Sequence, residues 1–96
     1  MTNYKLSNTA VEDLIRIYQF GVKKFGIRQA EKYYNSLFEC FEVIADNPHS
    51  FTAIDHIRTG YRRCPCGSDS IYFRISDSNE VEIMAIIGKQ DLKDIL

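Results

Sequence analysis

The residues with the clearest chemical potential are arginines that cluster in the second half of the chain. Between residues 57 and 76 four arginines stand against a single aspartate, which gives this stretch a formal charge of +3: Arg58, Arg62, Arg63, Arg74 and Asp69. A guanidinium group pairs bidentately with phosphates and with carboxylates, so the cluster could bind nucleic acid or an acidic protein surface. Arginines on an exposed sheet face are just as often solvated spacers, and their spacing alone leaves both interpretations open.

Cysteine and histidine are the residue types that could hold a metal ion. Cys64 and Cys66 are two residues apart, which in a strand puts both on one face, with only His49 and His56 as further donors. A zinc site needs four ligands and usually a wider cysteine spacing, so we predict no metal and no cofactor. The odd number of cysteines, 3 in all, does not suit a secreted disulfide framework and predicts reduced thiols, with Cys64 and Cys66 as small, buried or half-buried side chains.

A further pair with catalytic potential is Asp55-His56, because a carboxylate can orient and tune a neighbouring imidazole. Adjacent side chains in an extended loop diverge, however, and no pattern places a serine or cysteine nucleophile beside them. The 5 glycines are scattered and form no phosphate-binding loop. The residue types therefore predict no catalytic site.

Length and composition limit the elements that must position these residues. With 96 residues, 45% of them hydrophobic and 26% charged, the chain is expected to form a single packed domain over residues 1–96. A net charge of −1 and a pI near 6.1 exclude a general electrostatic attraction to nucleic acid or anionic membranes. No stretch is long and apolar enough to span a membrane, and Met1 to Ser7 lacks the apolar region of a signal peptide, which predicts a soluble cytoplasmic protein.

The first half of the chain predicts a short strand and two helices. Tyr4-Lys5-Leu6 alternates like a strand, and Thr9-x-x-Glu12 matches a capping box that would begin a helix. Apolar residues then recur at helical spacing until Gly26: Ala10, Leu14, Ile17, Tyr18, Gly21, Val22 and Phe25. A second stripe runs to Asn47-Pro48: Ala30, Tyr33, Tyr34, Leu37, Phe38, Phe41, Ile44 and Ala45. The short connection predicts an antiparallel helix hairpin that packs on a sheet.

The second half predicts an antiparallel meander after an irregular loop over residues 49–60. The expected strands are Tyr61–Cys66, Ser70–Ser76 and Glu80–Ile87. Pro65 cannot donate to a ladder and predicts that its strand is the outer one, whereas apolar residues on both faces put the last strand inside the sheet, beside the N-terminal strand. A short helix over Asp91–Leu96 is expected to cover Met84 and Ile86, which alternation places on one face.

This order of elements, β-α-α-β-β-β with a short C-terminal helix, resembles the RelE/ParE toxin superfamily, and several segments resemble its ParE branch. They are Tyr4-Lys5-Leu6-Ser7, Glu12-Asp13-Leu14, the block from Tyr34 to Phe41 that closes at Asp46-Asn47-Pro48, His56-Ile57-Arg58-Thr59-Gly60-Tyr61-Arg62-Arg63, and Glu82-Ile83 leading to Ile86-Ile87-Gly88-Lys89-Gln90-Asp91. The chain departs from the family in having Ile87 and Lys89 where members often carry His and Arg, and Cys64-Pro65-Cys66 where the strand is usually apolar.

The resemblance implies a two-layer α/β (α+β) fold and the toxin of a type II toxin–antitoxin system. Such a toxin would be held inactive by a ParD-type antitoxin and, when free, would inhibit DNA gyrase through its A subunit. It would be a protein–protein inhibitor rather than an enzyme, with no direct, specific nucleic-acid binding and no membrane contact.

Two other functions stay open at this point. The other branch of the superfamily contains RelE-like ribosome-dependent mRNA endonucleases, which need a base, an acid and cationic stabilisation of the transition state. The segment Gly88-Lys89-Gln90-Asp91 offers no His, Tyr or Arg for this purpose, which favours the gyrase inhibitor. A degenerate, non-toxic module that still binds its antitoxin is the remaining alternative.

Two candidate surfaces follow from these expectations. We expect the antitoxin to lie across the helix layer and a sheet edge, with contacts from Leu14, Tyr18 and Tyr34. For gyrase we expect a surface in which the C-terminal segment returns over the sheet to meet the meander's arginines: Arg58, Arg62, Lys89, Leu92 and Leu96. Deletion of Asp91–Leu96 is expected to leave a folded chain that binds antitoxin but inhibits gyrase poorly.

Overall fold

A computed structural model describes residues 3–88 as two helices packed on one face of a five-stranded mixed sheet. The elements are β1 (Tyr4–Leu6), α1 (Asn8–Phe25), α2 (Ile27–Asp46), a 3₁₀ turn (Pro48–Ser50), β2 (Thr52–Ala53), β3 (Tyr61–Cys66), β4 (Asp69–Ile75) and β5 (Val81–Ile87). The α+β architecture expected from the sequence is confirmed. Lys89, Leu92, Leu96 and the helix predicted over Asp91–Leu96 lie outside the described residues.

The first helix begins two residues earlier than the capping box predicted. The Ser7 hydroxyl accepts a hydrogen bond from the Ala10 amide at 3.0 Å and donates one to the Met84 carbonyl at 2.9 Å. The Ser7 amide also donates to the Ile83 carbonyl, so the pairing of β1 with β5 fixes where the chain turns into α1. The predicted cap at Thr9 is therefore wrong, and Thr9 lies in the first turn of the helix.

The predicted hairpin of two helices is confirmed. Gly26 ends α1 with a φ of 92°, a conformation that L side chains rarely adopt. The helices approach closely at Gly21, where an added Cβ would lie 3.2 Å from the Cβ of Ala30. Phe25 does not join the predicted buried stripe, because its side chain is 61% exposed at the end of the helix.

The sheet order is β1-β5-β4-β3-β2, with β1 parallel to β5 and all other neighbours antiparallel. The placement of the last strand inside the sheet, next to the N-terminal strand, is confirmed. Residues 49–60 do not form only an irregular loop, because Thr52 and Ala53 form β2. The Pro65 strand is not the outer one, because β2 pairs with it at Arg62 and Arg63 and is the outermost strand. Both expectations are therefore wrong. Pro65 is tolerated because β2 ends before it, so on that side of β3 no strand pairs with Pro65; on the other side it pairs with Ser70 of β4.

A β-bulge in β5 changes which residues of the strand point to each face of the sheet. Tyr72 pairs with Ala85 and Phe73 with Ile83, which leaves Met84 as the extra residue. We call the helix-covered side of the sheet the near face, and its opposite the far face. Near-face buried residues are Ala10, Leu14, Leu37, Phe41, Ile44, Cys64, Cys66, Ile71, Phe73, Val81, Ile83 and Ile86, and far-face buried residues are Ile54, Tyr61, Tyr72, Ala85 and Ile87. Met84 packs with the far-face cluster, so the prediction that it shares a face with Ile86 is wrong.

The cysteines also differ from expectation. A disulfide joins Cys40 of α2 to Cys66 of β3, whose Cα atoms are 6.6 Å apart, so the prediction of reduced thiols is wrong for this pair. The sequence could not show the pairing, because the packing of α2 across β3 brings together residues 26 positions apart. Cys64 is a free, buried thiol, as expected, and burial raises its pKa.

Within residues 3–88, no helix is sufficiently long and apolar to traverse a membrane. In the same part of the chain no three His, Cys, Asp or Glu side chains come together in a way that could hold a metal ion.

Candidate protein-interaction surfaces

An open groove runs between the two helices and the β3–β4 turn, with a volume of about 710 Å³. We call it the hairpin groove. Its apolar part includes Phe20 and Phe25, which are 58% and 61% exposed. Single exposed apolar side chains are common on any protein surface, but exposed aromatic rings that line one groove together are typical of a protein-interaction site. The lining residues used below are Arg16, Phe20, Phe25, Lys32, Tyr33 and Asp69.

Cationic side chains border the aromatic part of the hairpin groove. The Lys24 ammonium lies 5.4 Å from the ring centroid of Phe20 and 5.9 Å from that of Phe25. Arg16 and Lys32 line the groove from the two helices. The one carboxylate among the lining residues, Asp69, is engaged by Tyr33. An acidic amphipathic segment therefore matches both the apolar floor and the charge of the rim.

Tyr33 fixes the end of the groove by binding the β3–β4 turn. Its hydroxyl donates to Asp69 Oδ2 at 2.6 Å and accepts from the Ser68 amide at 3.1 Å. Burial and the Asp69 carboxylate raise the pKa of Tyr33 to about 12. Gly67 has a φ of 61°, and a Cβ there would lie 2.5 Å from Cε1 of Tyr33, so the turn requires glycine.

The free edge of β5 beyond its pairing with β1 is already bonded to helix side chains. Asp13 Oδ2 accepts from the Ile86 amide at 2.9 Å, and Arg16 donates to the Ile86 carbonyl at 3.2 Å. These two side chains also contact each other at 3.3 Å. The β5 edge is thus not an open template for an added strand at Ile86, which favours the hairpin groove over this edge as the surface that meets an antitoxin.

The three residues predicted to contact an antitoxin differ in how much of their side chain is exposed. Leu14 is 3% exposed and belongs to the near-face core, so it offers a partner almost no side-chain surface. Tyr18 and Tyr34 are half-buried and pack edge-on, with ring centroids 5.5 Å apart. They begin an aromatic row that continues along the hairpin through Phe38 and Phe41. Tyr18 and Tyr34 stay candidates for contact with an antitoxin.

The loop that enters β3 is ordered by its own hydrogen bonds. The Ile54 amide donates to the Tyr61 carbonyl at 2.8 Å, and Asp55 Oδ1 accepts from the Gly60 amide at 2.8 Å. Asp55 therefore serves the loop's conformation, while the neighbouring His56 is exposed. A cleft of about 600 Å³ lies on the far face beside this loop, and His56 and Arg63 are among its lining residues.

The two arginines predicted to share a gyrase surface do not lie together. The guanidinium of Arg58 lies 5.0 Å from the ring centroid of Tyr61, which belongs to the far-face core. Arg62 alternates to the near face and donates to the Phe51 carbonyl at 2.8 Å. The far-face neighbour of Tyr61 on β3 is Arg63, whose Nε donates to Ser70 Oγ at 3.0 Å. Sequence reasoning did not select Arg63, although alternation from Tyr61 places it there.

Comparison with known proteins agrees with this architecture. Residues 4–93 match the family described as ParE toxin of type II toxin-antitoxin system, parDE. The chain is 33% identical over 87 residues to Toxin ParE1 of Caulobacter vibrioides, covering 91% of this chain and 88% of the relative. It is 29% identical over 89 residues to Toxin ParE1 of Mycobacterium tuberculosis H37Rv, covering 93% and 91%. A chain from the solved structure of a chromosomal ParDE TA system from P. aeruginosa has a TM-score of 0.81 at 22% identity, covering 94% of this chain and 98% of that one.

Proposed function

Because the chain belongs to the ParE toxin family of type II toxin–antitoxin systems, we propose that it inhibits DNA gyrase when free and that a ParD-type antitoxin neutralises it. The observation that carries this proposal is the family match over residues 4–93, nearly the full chain. In this proposal the chain works by binding gyrase, not by catalysis, and acts in the bacterial cytoplasm, where gyrase and DNA are found.

The hairpin groove is the proposed antitoxin site. Its exposed aromatic rings, Phe20 and Phe25, supply apolar anchors, and Arg16, Lys24 and Lys32 favour an acidic partner. A disordered, acidic, amphipathic segment can fold as a helix in such a groove. Tyr18 and Tyr34, which pack against each other outside the residues that line the groove, remain candidate contacts from the sequence.

Charge placed in the groove tests this site. We expect Phe20→Asp to weaken binding of the antitoxin encoded beside this chain by about 30-fold or more, because it removes an aromatic anchor and repels an acidic partner. Val43→Asp is the matched control, since Val43 is a 54% exposed apolar residue of the hairpin outside the groove. Isothermal titration calorimetry measures both. Equal affinities for the two variants would place the antitoxin elsewhere.

The gyrase-facing surface is proposed on the far face. Arg58 and Arg63 lie there, and Arg63 lines the same cleft as Gly88, the residue that follows β5. Within residues 3–88 the one hydrogen bond of the Arg63 side chain, to Ser70, uses Nε, so its terminal nitrogens can bind a partner. Arg62 is assigned instead to holding the segment before β2 through the Phe51 carbonyl. Lys89, Leu92 and Leu96 remain part of the proposal from the sequence.

A supercoiling assay with purified gyrase, ATP and relaxed plasmid tests the function. The wild-type chain is expected to inhibit supercoiling, and Arg63→Glu is expected to raise the concentration needed for half-inhibition about tenfold or more. Arg74→Gln is the control, because the Arg74 guanidinium is already paired with Glu82 on the same face. Deletion of Asp91–Leu96 should likewise weaken inhibition while antitoxin binding persists.

The RelE-like alternative predicts a different result. A ribosome-dependent endonuclease would cleave mRNA in a translation extract and leave gyrase unaffected. Primer extension on ribosome-bound mRNA, with the same protein preparation, therefore decides between the two functions. Unaffected supercoiling together with specific mRNA cleavage would replace the gyrase proposal, and neither activity together with intact antitoxin binding would indicate a non-toxic module.

A further inference from the structure

A pair of cysteines connects the helix layer to the sheet beside the hairpin groove. Cys40 lies on α2 and is half-buried, whereas Cys66 ends β3 and is 6% exposed. Their Cα atoms are 6.6 Å apart, within the range that a disulfide spans, and the two sulfurs are bonded. The third cysteine, Cys64, lies on the same face of the same strand but is free. Only one of the three possible pairs is thus joined.

The surroundings of Cys66 also suit a reduced thiol. Its Sγ lies 3.7 Å from the carbonyl oxygen of Ser36, one turn before Cys40 on α2. After reduction this oxygen can accept a hydrogen bond from the Cys66 thiol, so no buried polar group is left without a partner. Reduction therefore leaves the Cys66 sulfur with a hydrogen-bond acceptor at its present position.

We propose that Cys40 and Cys66 form a reversible oxidation site that reacts with small-molecule disulfides. The half-buried Cys40 thiol loses its proton, and the thiolate attacks one sulfur of the small disulfide, releasing one small thiol and leaving a mixed disulfide. The Cys66 thiolate then attacks the Cys40 sulfur and releases the second small thiol. Two protein thiols lose two electrons and two protons, and one small disulfide gains them to become two thiols.

Oxidation is expected to stabilise the fold beside the hairpin groove. Cys66 directly precedes Gly67 and Ser68, the turn that Tyr33 binds. The disulfide closes the chain between residues 40 and 66 and so restricts the unfolded state, which stabilises the folded chain. This inference concerns the chain's own stability and does not depend on gyrase or on an antitoxin.

The test is a titration of the purified full-length chain with mixtures of reduced and oxidised glutathione. Samples are quenched in acid, alkylated in denaturant and analysed by mass spectrometry. We expect the number of alkylated thiols to change from 3 in reduced protein to 1 in oxidised protein, with Cys64 the residue modified in both. Reduced glutathione should restore all three. Thermal unfolding should occur roughly 10 °C higher in the oxidised form.

Cysteine variants test whether Cys40 and Cys66 cause the changes in alkylation and melting temperature. Cys64→Ala should retain the change in alkylation and in melting temperature, whereas Cys40→Ser and Cys66→Ser should lose both. If Cys66→Ser does not fold, Cys40→Ser decides, because its half-buried position tolerates a polar substitution. Three alkylated thiols at every glutathione ratio, a crosslink that includes Cys64, an irreversible crosslink, or a temperature shift that persists in Cys40→Ser would each overturn the proposal.

Discussion

On the near face of the sheet, side chains from both helices bind the sheet's backbone, whereas on the far face arginines bind or stack on side chains of the sheet. Ser7 and Asp13 of the α1 region bond to β5, and Tyr33 bonds to the β3–β4 turn. On the far face Arg63 bonds to Ser70 and Arg74 to Glu82. The near-face groups are thus committed to holding layers together.

This difference predicts that substitutions on the two faces have different effects, one on the stability of the fold and the other on binding. A near-face polar group that loses its partner leaves a backbone group of another layer unsatisfied, which costs stability. The far-face guanidiniums of Arg63 and Arg74 are themselves exposed, so replacing one removes a contact at the surface and not one between two layers. We therefore expect near-face substitutions to reduce the free energy of unfolding and far-face substitutions to change binding with little effect on folding.

The largest effect is expected from the near-face core. Phe73→Ala removes a fully buried ring at 0% exposure, and should lower the free energy of unfolding by about 3–5 kcal/mol. Phe25→Ala removes the same side chain from a 61% exposed site and should change it by less than about 0.5 kcal/mol. Urea unfolding followed by circular dichroism measures both. Similar losses in the two variants would contradict the division between core and groove.

A smaller effect is expected at the bond between the start of α1 and the bulge. Ser7→Ala removes the helix cap and leaves the Met84 carbonyl without its hydroxyl donor, which should cost about 1–2 kcal/mol. Ser78→Ala is the control, because Ser78 is exposed in the β4–β5 turn. If chemical denaturation gives both variants the same midpoint, the cap does not contribute to holding α1 on the sheet.

Tyr33→Phe is expected to cost about 1 kcal/mol by removing the bonds to Asp69 and Ser68. The pKa of Tyr33 is raised to about 12 in the folded chain, above the ordinary value of 10.0, so the folded state favours the neutral phenol. Its contribution is therefore complete below pH 10 and is lost as the pH rises through about 12. Melting temperatures of wild type and Tyr33→Phe should converge above pH 10.

The control for that variant is Tyr34→Phe, because within residues 3–88 Tyr34 packs through its ring against Tyr18 and Phe38. The melting temperature of Tyr34→Phe should differ little from that of wild type at pH 7. A constant difference between wild type and Tyr33→Phe between pH 9 and pH 11 would show that the Tyr33 phenol does not titrate with folding.

The smallest effect on stability is expected on the far face. Arg63→Gln should change the free energy of unfolding by less than about 0.5 kcal/mol, because the Arg63 side chain is exposed and its bond to Ser70 joins two strands that the β3–β4 ladder already holds together. Arg62→Gln should cost more, about 1 kcal/mol, since the half-buried Arg62 holds the Phe51 carbonyl. Thermal unfolding ranks the two, and the reverse order would contradict the assignment of faces.

Much of the fold could be predicted because its signals are local. The apolar stripes of two helices, the stop at Asn47-Pro48 and the strand Tyr61–Cys66 each depend on neighbours within a few residues, and all are present. The boundary of α1 was missed because the cap at Ser7 is selected by the β1–β5 pairing, a contact between chain segments more than 70 residues apart.

The candidate sites were less predictable for the same reason. Residue type identified the arginines, but only the pairing of β3 with its neighbours shows that Arg62 and Arg58 belong to opposite faces. Leu14 and Tyr18 share a helical stripe in the sequence, yet packing buries one and leaves the other half-exposed.

The sequence by itself therefore determined the family, the layer architecture and most elements, because periodicity and turn residues act locally. Tertiary structure alone decided the Cys40–Cys66 pair, the bulge at Met84 and the groove bounded by Tyr33. Each of these depends on how the helix hairpin lies across the sheet. That arrangement is set by close packing of the whole near-face core, which no short stretch of sequence encodes.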